Sequence, residues 1–306
     1  MNWLTKIAAF KVLSALPGGS ALYRFSQEQF TKSLVPTRER VAQKTGVGLR
    51  YYQWLEENNC GAQLVGGTHL DFGTGWQPTI PLLYYSLGVD RQILFDIVPV
   101  LNGELVASTQ KTFCALAQAP DCPFRNKLRR LPEIPPAHRG SLMALEKMGI
   151  HYFAPYQRKL DELDGAIDVV TCTQVFLHID KAVLLQIFRG LHRSIKKGGK
   201  FLATIHLYDL YTNSDRGISQ YNHLKYSPQV WNSWINSSLM SYNRLRAPDY
   251  RELLTAAGFA IRHFEVEKPA ADDLKQLERI RKDSSFSKYS PEDLGAKHLF
   301  FVAEKL

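Results

Sequence analysis

The apolar residues of this chain recur with two different spacings, which predict helices in its first part and strands in the remainder. From Trp3 to Leu16 they recur every three or four positions, and helical patterns continue beyond this stretch. Farther along, short apolar runs rich in β-branched residues alternate with longer helical stretches. A helical period buries one face, whereas a short continuous apolar run suits a buried strand. We therefore expect a helical extension over residues 1–60 and an α/β domain over residues 61–306.

The extension is predicted to contain three helices. They cover Trp3–Leu16, Ser20–Ser33 and Thr37–Glu57, with Thr37 as the N-cap of the last one. The first helix carries Lys6 and Lys11 among its apolar residues. Such a helix is compatible with peripheral contact at a membrane surface, but helices more often gain stability by packing on their own domain. The sequence leaves both locations open.

The apolar runs of the α/β domain predict seven strands. The first two strands end at Asp71 and Asp96. The other five cover residues 150–153, 167–172, 200–206, 259–267 and 298–304. Because the first five alternate with helices and the last two close the sheet, we expect a mostly parallel sheet with an antiparallel C-terminal edge. Insertions are expected over residues 97–149 and 207–246, the second forming a lid. Residues 272–291 are expected to form a charged, mobile segment.

Composition and charge limit the possible partners and cellular location of the protein. Lys and Arg outnumber Asp and Glu by 38 to 29, so the formal net charge is +9. This balance suits nucleic acid or anionic lipid, but the basic residues are dispersed and no RNA-binding module is apparent, so we expect no nucleic-acid partner. The four cysteines lie far apart in the sequence, which favours reduced thiols over disulfides or a metal site. No apolar run reaches the ~20 residues of a membrane span. We expect a cytoplasmic protein.

The junction between the first two strands carries the most information about function. Asp71 ends the first strand, Gly73 and Gly75 follow, and Asp96 ends the second strand. Glycine is needed where the backbone turns sharply and approaches a ligand without a Cβ in the way, and an acid at the tip of the next strand can accept hydrogen bonds from ribose hydroxyls. Pro78 stands at the position of the third glycine of the dinucleotide fingerprint, so that fingerprint is incomplete.

This stretch instead resembles motif I of the class I S-adenosylmethionine (SAM)-dependent methyltransferases, with Asp96 resembling the ribose-binding acid of motif II. The segments Asp168–Ile179 and Leu191–Gly199 resemble two later blocks of the same family. The resemblance covers residues 64–304 in outline. It implies a Rossmann-like fold and SAM as the cofactor. The cofactor-binding residues that it implies are Asp71, Gly73, Thr74, Gly75, Asp96, Thr173 and Gln174.

One position departs from the family pattern. Many of these methyltransferases carry an acid after the third strand that binds the adenine amino group. Here the segment Ala154–Gln157 stands at that place and contains no acid. Backbone groups or the side chain of Gln157 are the alternatives that the sequence offers.

Three residues are candidates for a general base, which a hydroxyl acceptor would need. His206 ends the fifth strand, on the edge of an open α/β sheet where ligands bind. His178 follows the fourth strand, and Asp209 is the third candidate. Histidine suits this task because it titrates near neutral pH. Each of the three is equally compatible with a polar residue that braces the site.

The chain is also similar, less closely, to bacterial methyltransferases of polysaccharide and small-molecule pathways, through residues 218–250. That similarity implies O-methylation of a small-molecule or glycan hydroxyl. The expected acceptor-binding residues are Tyr226, Trp231, Asn243 and Arg244. Aromatic residues also fill lid cores, and Arg244 is equally compatible with a structural ion pair. The alternative functions are an N- or C-methyltransferase and a catalytically inactive SAM-binding protein; no metal-ligand set is apparent, and the oligomeric state stays open.

Overall fold

The structure is a computed structural model that describes residues 2–17 and 34–306. The helix expected over Ser20–Ser33 lies outside these residues. Among the residues described, no helix is long and apolar enough to cross a membrane.

The strands of the described chain follow the order expected from the sequence. They are β1 (Thr68–Phe72), β2 (Arg91–Phe95), β3 (Ile150–Phe153), β4 (Ile167–Thr173), β5 (Ile195–His206), β6 (Ala260–Val266) and β7 (His298–Glu304). The α-helices are α1 (Trp3–Ala15), α2 (Arg38–Glu57), α3 (Gly61–Val65), α4 (Thr79–Leu87), α5 (Gly103–Gln118), α6 (Met143–Glu146), α7 (Gln157–Asp161), α8 (Lys181–Ser194), α9 (Pro228–Val230), α10 (Ala247–Ala256), α11 (Ala271–Arg279) and α12 (Pro291–Gly295). Short 3₁₀ turns and one π-helical turn, Trp231–Ile235, occupy parts of the connections.

The strands form one hydrogen-bonded sheet, in the order β3-β2-β1-β4-β5-β7-β6 within the described residues. β1 pairs in parallel with β2 and with β4, and β2 pairs in parallel with β3. β7 and β6 form the antiparallel edge. The expected Rossmann-like, mostly parallel seven-stranded sheet is therefore confirmed.

The chain packs into two compact units that interleave along the sequence. The glycine-loop unit contains Lys32–Thr173, Arg189–Ala203 and Ala303–Leu306. The lid unit contains Met1–Thr31, of which residues 2–17 are described, with Gln174–Phe188 and Thr204–Val302. These units do not follow the boundary expected near residue 60, because α1 belongs to the lid unit and α2 to the glycine-loop unit.

Helix α2 is part of the core of the glycine-loop unit. Thr37 caps it by accepting a hydrogen bond from the Arg40 N–H at 3.4 Å, as the sequence indicated. Its buried face includes Tyr51, whose hydroxyl donates to the Cys172 carbonyl of β4 at 2.9 Å. The helix is therefore tied to the strand that ends beside the glycine loop.

Helix α1 buries one of its faces within the lid unit. Trp3 and its helical neighbours Ile7 and Phe10 are buried. The Trp3 N–H donates to Asp215 at 3.0 Å, and the Trp3 ring lies 5.9 Å from that of Tyr211. Membrane contact through the outer face of this helix stays a prediction.

Two local predictions were wrong. The fifth strand was expected over residues 200–206, but β5 already begins at Ile195, and the Gly198 N–H donates to the Lys305 carbonyl at 2.7 Å. Residues 272–291 contain most of α11 and a 3₁₀ turn rather than a mobile segment. Three apolar residues of this region, Leu277, Ile280 and Phe286, are buried in one cluster. The cluster also contains Tyr221, Leu224 and Leu294 from outside the region. Frequent charges obscured the helical spacing of these apolar residues in the sequence.

Candidate active site

The glycine loop follows β1 directly. Gly73 and Gly75 adopt φ values of 81° and 69°, in the left-handed region where glycine is favoured. The Gly73 N–H donates to the Phe95 carbonyl of β2 at 2.7 Å, which ties the loop to the neighbouring strand. A Cβ added to Gly75 would meet no atom of the described residues within 4 Å. The loop therefore presents its backbone to open space.

Asp96 lies beside this loop at the carboxyl end of β2. Its two carboxylate oxygens accept the Gly75 N–H at 3.2 and 3.1 Å. Burial raises the pKa of Asp96 to about 7, against the opposing effects of the Gly75 N–H, Tyr152 and Lys44. Near neutral pH this carboxylate is close to its protonation midpoint, so any ligand that donates hydrogen bonds to it favours the ionised form.

Asp71 is buried beneath the loop rather than facing open space. Its carboxylate accepts hydrogen bonds from the hydroxyls of Thr74 at 2.9 Å and Thr171 at 3.0 Å. Burial raises the pKa of Asp71, while the two hydroxyl donors and Lys44 oppose the shift. Asp71 and Thr74 thus hold the loop in place from below, and any direct contact with a cofactor stays a prediction for both.

Sequence reasoning missed two residues that surround Asp96. Lys44, on α2, donates to the Gln77 carbonyl at 3.3 Å, and its charge acts on both Asp71 and Asp96. Tyr152, on β3, acts on Asp96 through its hydroxyl and lowers the carboxyl pKa. No local pattern marks either residue, because their proximity to Asp96 depends on the packing of α2 and on the pairing of β2 with β3.

The segment in place of the adenine-binding acid packs tightly against Asp96. The Tyr156 N–H donates to the Asp96 carbonyl at 3.1 Å, and the Tyr156 ring stacks on Phe95 with 5.6 Å between centroids. The side chain of Gln157 lies outside what the structure describes. The two alternatives that the sequence left open for adenine binding therefore stay open.

Thr173 and Gln174 lie at the end of β4, one in each unit. The Thr173 hydroxyl lies 3.2 Å from the Tyr51 hydroxyl. Gln174 adopts a φ of 58°, which is uncommon for a residue with a side chain. Its side-chain oxygen accepts the His206 N–H at 2.6 Å, so within the lid unit it fixes the backbone that carries His206. Cofactor binding by Thr173 and Gln174 stays a prediction.

His206 and His178 lie close enough within the lid unit to affect each other electrostatically. Burial lowers the pKa of His206, and together with the nearby His298 and His178 it brings this pKa to about 4. The Nδ1 atom of His206 lies 2.9 Å from that of His298. Desolvation also lowers the pKa of His178, although the residue as a whole is exposed to solvent. Both rings are therefore neutral at pH 7.

The tautomer of His178 follows from its partner. Its Nδ1 lies 2.6 Å from the Ser241 carbonyl oxygen, which can only accept a hydrogen bond. Nδ1 therefore carries the proton, and Nε2 of the neutral ring is left with a lone pair. This is the protonation state that a general base requires.

Asp209, the third candidate base, is buried and hydrogen-bonded within its own unit. It accepts from the Tyr211 N–H at 2.9 Å, the Tyr242 hydroxyl at 2.7 Å and the Asn222 amide at 3.3 Å. Burial raises its pKa, and these donors oppose the shift. The contacts favour Asp209 as a brace of the lid, the alternative that the sequence left open.

The two aromatic residues expected to contact the acceptor belong to the packing of the lid. Trp231 is 1% exposed, and its indole N–H donates to the Tyr242 carbonyl at 2.9 Å. The Tyr226 ring lies 6.2 Å from that of Trp231 and 6.0 Å from that of Trp3. Tyr226 is only partly buried, so it is the better placed of the two to contact a ligand.

The polar pair Asn243 and Arg244 also makes structural contacts. The Asn243 amide donates to the carbonyls of Phe176 and Ile179 at 2.8 and 2.7 Å. Arg244 adopts a φ of 60°, and its Nη1 donates to the carbonyls of His223 and Tyr226 at 2.9 and 2.6 Å.

The Arg244 guanidinium also lies 4.7 Å from the Trp231 ring centroid and 5.1 Å from that of Phe286. This arrangement satisfies the guanidinium with carbonyls and aromatic faces. Acceptor binding by Asn243 and Arg244 stays a prediction.

The sequence matches the family model described as "Methyltransferase domain" over residues 49–264, more than half of the chain. The fold and the glycine loop are those of a class I methyltransferase. The chain belongs to this methyltransferase family, and SAM is its cofactor. No curated protein sequence matches the chain.

Several solved methyltransferase structures are similar in fold. An S-adenosylmethionine-dependent methyltransferase from Mesorhizobium loti is 15% identical over 83% of this chain and 97% of its own, with a TM-score of 0.42. A SAM-dependent methyltransferase from Methanosarcina mazei is 15% identical over 78% of this chain and 92% of its own, with a TM-score of 0.42. A geranyl diphosphate methyltransferase in complex with SAM is 10% identical over 88% of this chain and 90% of its own, with a TM-score of 0.47. Likeness of this degree says nothing about the acceptor.

Proposed function

We propose that the protein transfers a methyl group from SAM to a hydroxyl oxygen of a small molecule or glycan, with His206 as the general base. When bound, SAM supplies a methyl group on an activated sulfonium, ready for in-line displacement. The protein must then position the reactants, exclude water and remove the acceptor proton. The observation that carries the proposal is the neutral state of His206 at the carboxyl end of β5.

The residues of the glycine-loop unit suit the cofactor. The open space in front of Gly75 admits a ligand against the backbone. The Asp96 carboxylate beside it is suited to the two ribose hydroxyls, because a carboxylate accepts several hydrogen bonds at once. Ribose binding would favour the ionised form of Asp96 over the form that burial favours.

The lid unit provides the candidate bases for a hydroxyl acceptor. A hydroxyl is a weak nucleophile until its proton is removed, and a neutral imidazole is suited to accept that proton. His206 meets this requirement at pH 7, and the lone pair on Nε2 of His178 provides a second acceptor. Either neutral ring can accept a proton that is released as the bond forms.

The proposal is tested with purified protein, SAM and a matched panel of phenols, simple glycosides and amines. Methyl transfer to a hydroxyl compound is expected, and transfer should fall about 100-fold or more in the His206→Ala, His178→Ala double variant. His138→Ala, which changes a histidine in the glycine-loop unit, is the matched control. Transfer to amines alone, spared in the double variant, would favour the N-methyltransferase instead, and carbon methylation in the products would indicate a C-methyltransferase.

SAM binding without turnover across the panel would favour the catalytically inactive alternative. Isothermal titration calorimetry with SAM and S-adenosylhomocysteine separates this outcome from a failure to bind the cofactor. Repeating the binding measurement with panel compounds present tests whether an acceptor must bind first.

A further inference from the structure

We propose that Glu267 and His298 position His206 and fix its tautomer, so that Nε2 of His206 is the atom that accepts the proton. This inference rests on the proposed function and extends it to two residues that the sequence did not indicate. All three residues belong to the lid unit. They lie on, or directly after, the neighbouring strands β5, β7 and β6.

The backbone of these strands places the three residues in a row. The Leu207 N–H, next to His206, donates to the Lys297 carbonyl at 2.8 Å. The Glu267 N–H donates to the His298 carbonyl at 2.9 Å. Sheet pairing therefore fixes the main chain on both sides of His298, and the side-chain contacts do not depend on a loop.

The side chains continue this row as a chain of polar contacts. Nδ1 of His206 lies 2.9 Å from Nδ1 of His298, and Nε2 of His298 lies 3.5 Å from a carboxylate oxygen of Glu267. An ionised carboxylate can only accept, so it favours a proton on Nε2 of His298. In a neutral His298 ring, Nδ1 must then accept, so Nδ1 of His206 donates. Nε2 of His206 is left with the lone pair.

The other charged and titratable groups around His206 fit this assignment. His178 lies near enough to affect His206, and the Tyr208 ring is 4.9 Å from the His206 ring. The Lys297 ammonium lies 3.8 Å from Glu267 and 3.1 Å from Asp273, so a positive charge lies beside the Glu267 carboxylate.

The path of the proton during methyl transfer follows from this arrangement of His206, His298 and Glu267. As the acceptor oxygen bonds to the methyl carbon, the sulfur–carbon bond breaks with its electron pair on sulfur, and the hydroxyl proton moves to Nε2 of His206. The resulting imidazolium still donates through Nδ1 to His298, whose other nitrogen faces the negative Glu267. The proton is afterwards released to water.

The first test observes the free protein. Two-dimensional ¹H–¹⁵N spectra of the imidazole nitrogens distinguish the tautomers, and a titration from pH 3 to 9 gives the pKa of His206. We expect His206 to carry its proton on Nδ1 at pH 7. In His298→Ala this preference should be lost, because the acceptor of the Nδ1 proton is removed. A proton on Nε2 of His206 in the unchanged protein would overturn the proposal.

The second test uses the hydroxyl acceptor of the panel with the highest turnover. His298→Ala should lower kcat about tenfold or more with little change in KM. His298→Asn, which keeps an acceptor oxygen near the position of Nδ1, should recover most of kcat. Glu267→Gln should weaken the tautomer preference and lower kcat less than His298→Ala does.

The chain offers a matched control in another histidine–glutamate pair on the same sheet. On β6, His263 Nε2 lies 3.3 Å from Glu265. His263→Ala should leave the tautomer of His206 and the kcat–pH profile unchanged. Equal effects of His263→Ala and His298→Ala would overturn the proposal in favour of a structural role. Because the spectra need no acceptor, failure of the positioning and failure of the proposed O-methylation can be told apart.

Discussion

Asp96 in the glycine-loop unit and Asp209 in the lid unit are both acids whose pKa is raised by burial, but their surroundings differ. Asp96 accepts the Gly75 N–H next to open space. Asp209 is 0% exposed and accepts donors from Tyr211, Tyr242 and Asn222. The first arrangement has room for a ligand that donates hydrogen bonds, whereas the second is completed by the protein itself.

The basic residues extend this comparison. Lys44 in the glycine-loop unit acts on Asp71 and Asp96 through its charge. Arg246 in the lid unit is 0% exposed, and its guanidinium donates to the carbonyls of Leu207, Asp293, Leu294 and Ala296. Buried polar residues therefore do not mark a site by themselves; their position relative to open space is what distinguishes a ligand-binding group from a structural one.

The largest expected effect is on stability, at the buried structural residue Arg246 of the lid unit. Arg246→Met should lower the free energy of unfolding by about 3 kcal/mol or more, because several buried carbonyls lose their donor. Urea unfolding followed by circular dichroism gives this value. Arg251→Met is the matched control, since Arg251 is exposed and stacks on Phe264 at 4.0 Å. Equal losses in the two variants would contradict the role assigned to the buried guanidinium.

On the ligand-binding side, Asp96→Ala should weaken SAM binding by about 100-fold, since hydrogen bonds to a charged group contribute about 1.5–3 kcal/mol each. Calorimetry with SAM and S-adenosylhomocysteine measures the loss. Asp90→Ala is the control, because Asp90 precedes β2 at the opposite end and pairs with Arg130 at 2.6 Å. Unchanged affinity in Asp96→Ala would refute the assignment of the ribose site.

A pH titration sharpens the comparison with a smaller effect. Because the pKa of Asp96 is raised to about 7, the free protein holds a proton there at lower pH, and binding to the carboxylate must release it. The dissociation constant for SAM should rise about tenfold per pH unit below pH 7. Lys44→Met should move this break to higher pH, since Lys44 lowers the pKa of Asp96. A break that persists in Asp96→Asn would assign the dependence to another group.

Much of the fold was predictable because its signals are local. The run Ile150–Phe153 and the run His298–Glu304 match β3 and β7 residue for residue, since short apolar segments bounded by polar residues specify strands. The segment 272–291 was expected to be mobile, and this prediction was wrong. Its apolar residues pack against Tyr221 and Leu224, which lie far away in the sequence, so no local pattern indicates the packing. Helices whose stability comes from distant partners have weak local signals.

The sequence by itself determined the order of strands and helices, the glycine loop with Asp96 after it, and hence the methyltransferase family and its cofactor. These features depend on residues a few positions apart. Only the tertiary structure decided that Lys44 and Tyr152 surround Asp96, and that His298 lies against His206. His206 and His298 are 92 positions apart. Strand pairing, which no local pattern encodes, brings such residues together.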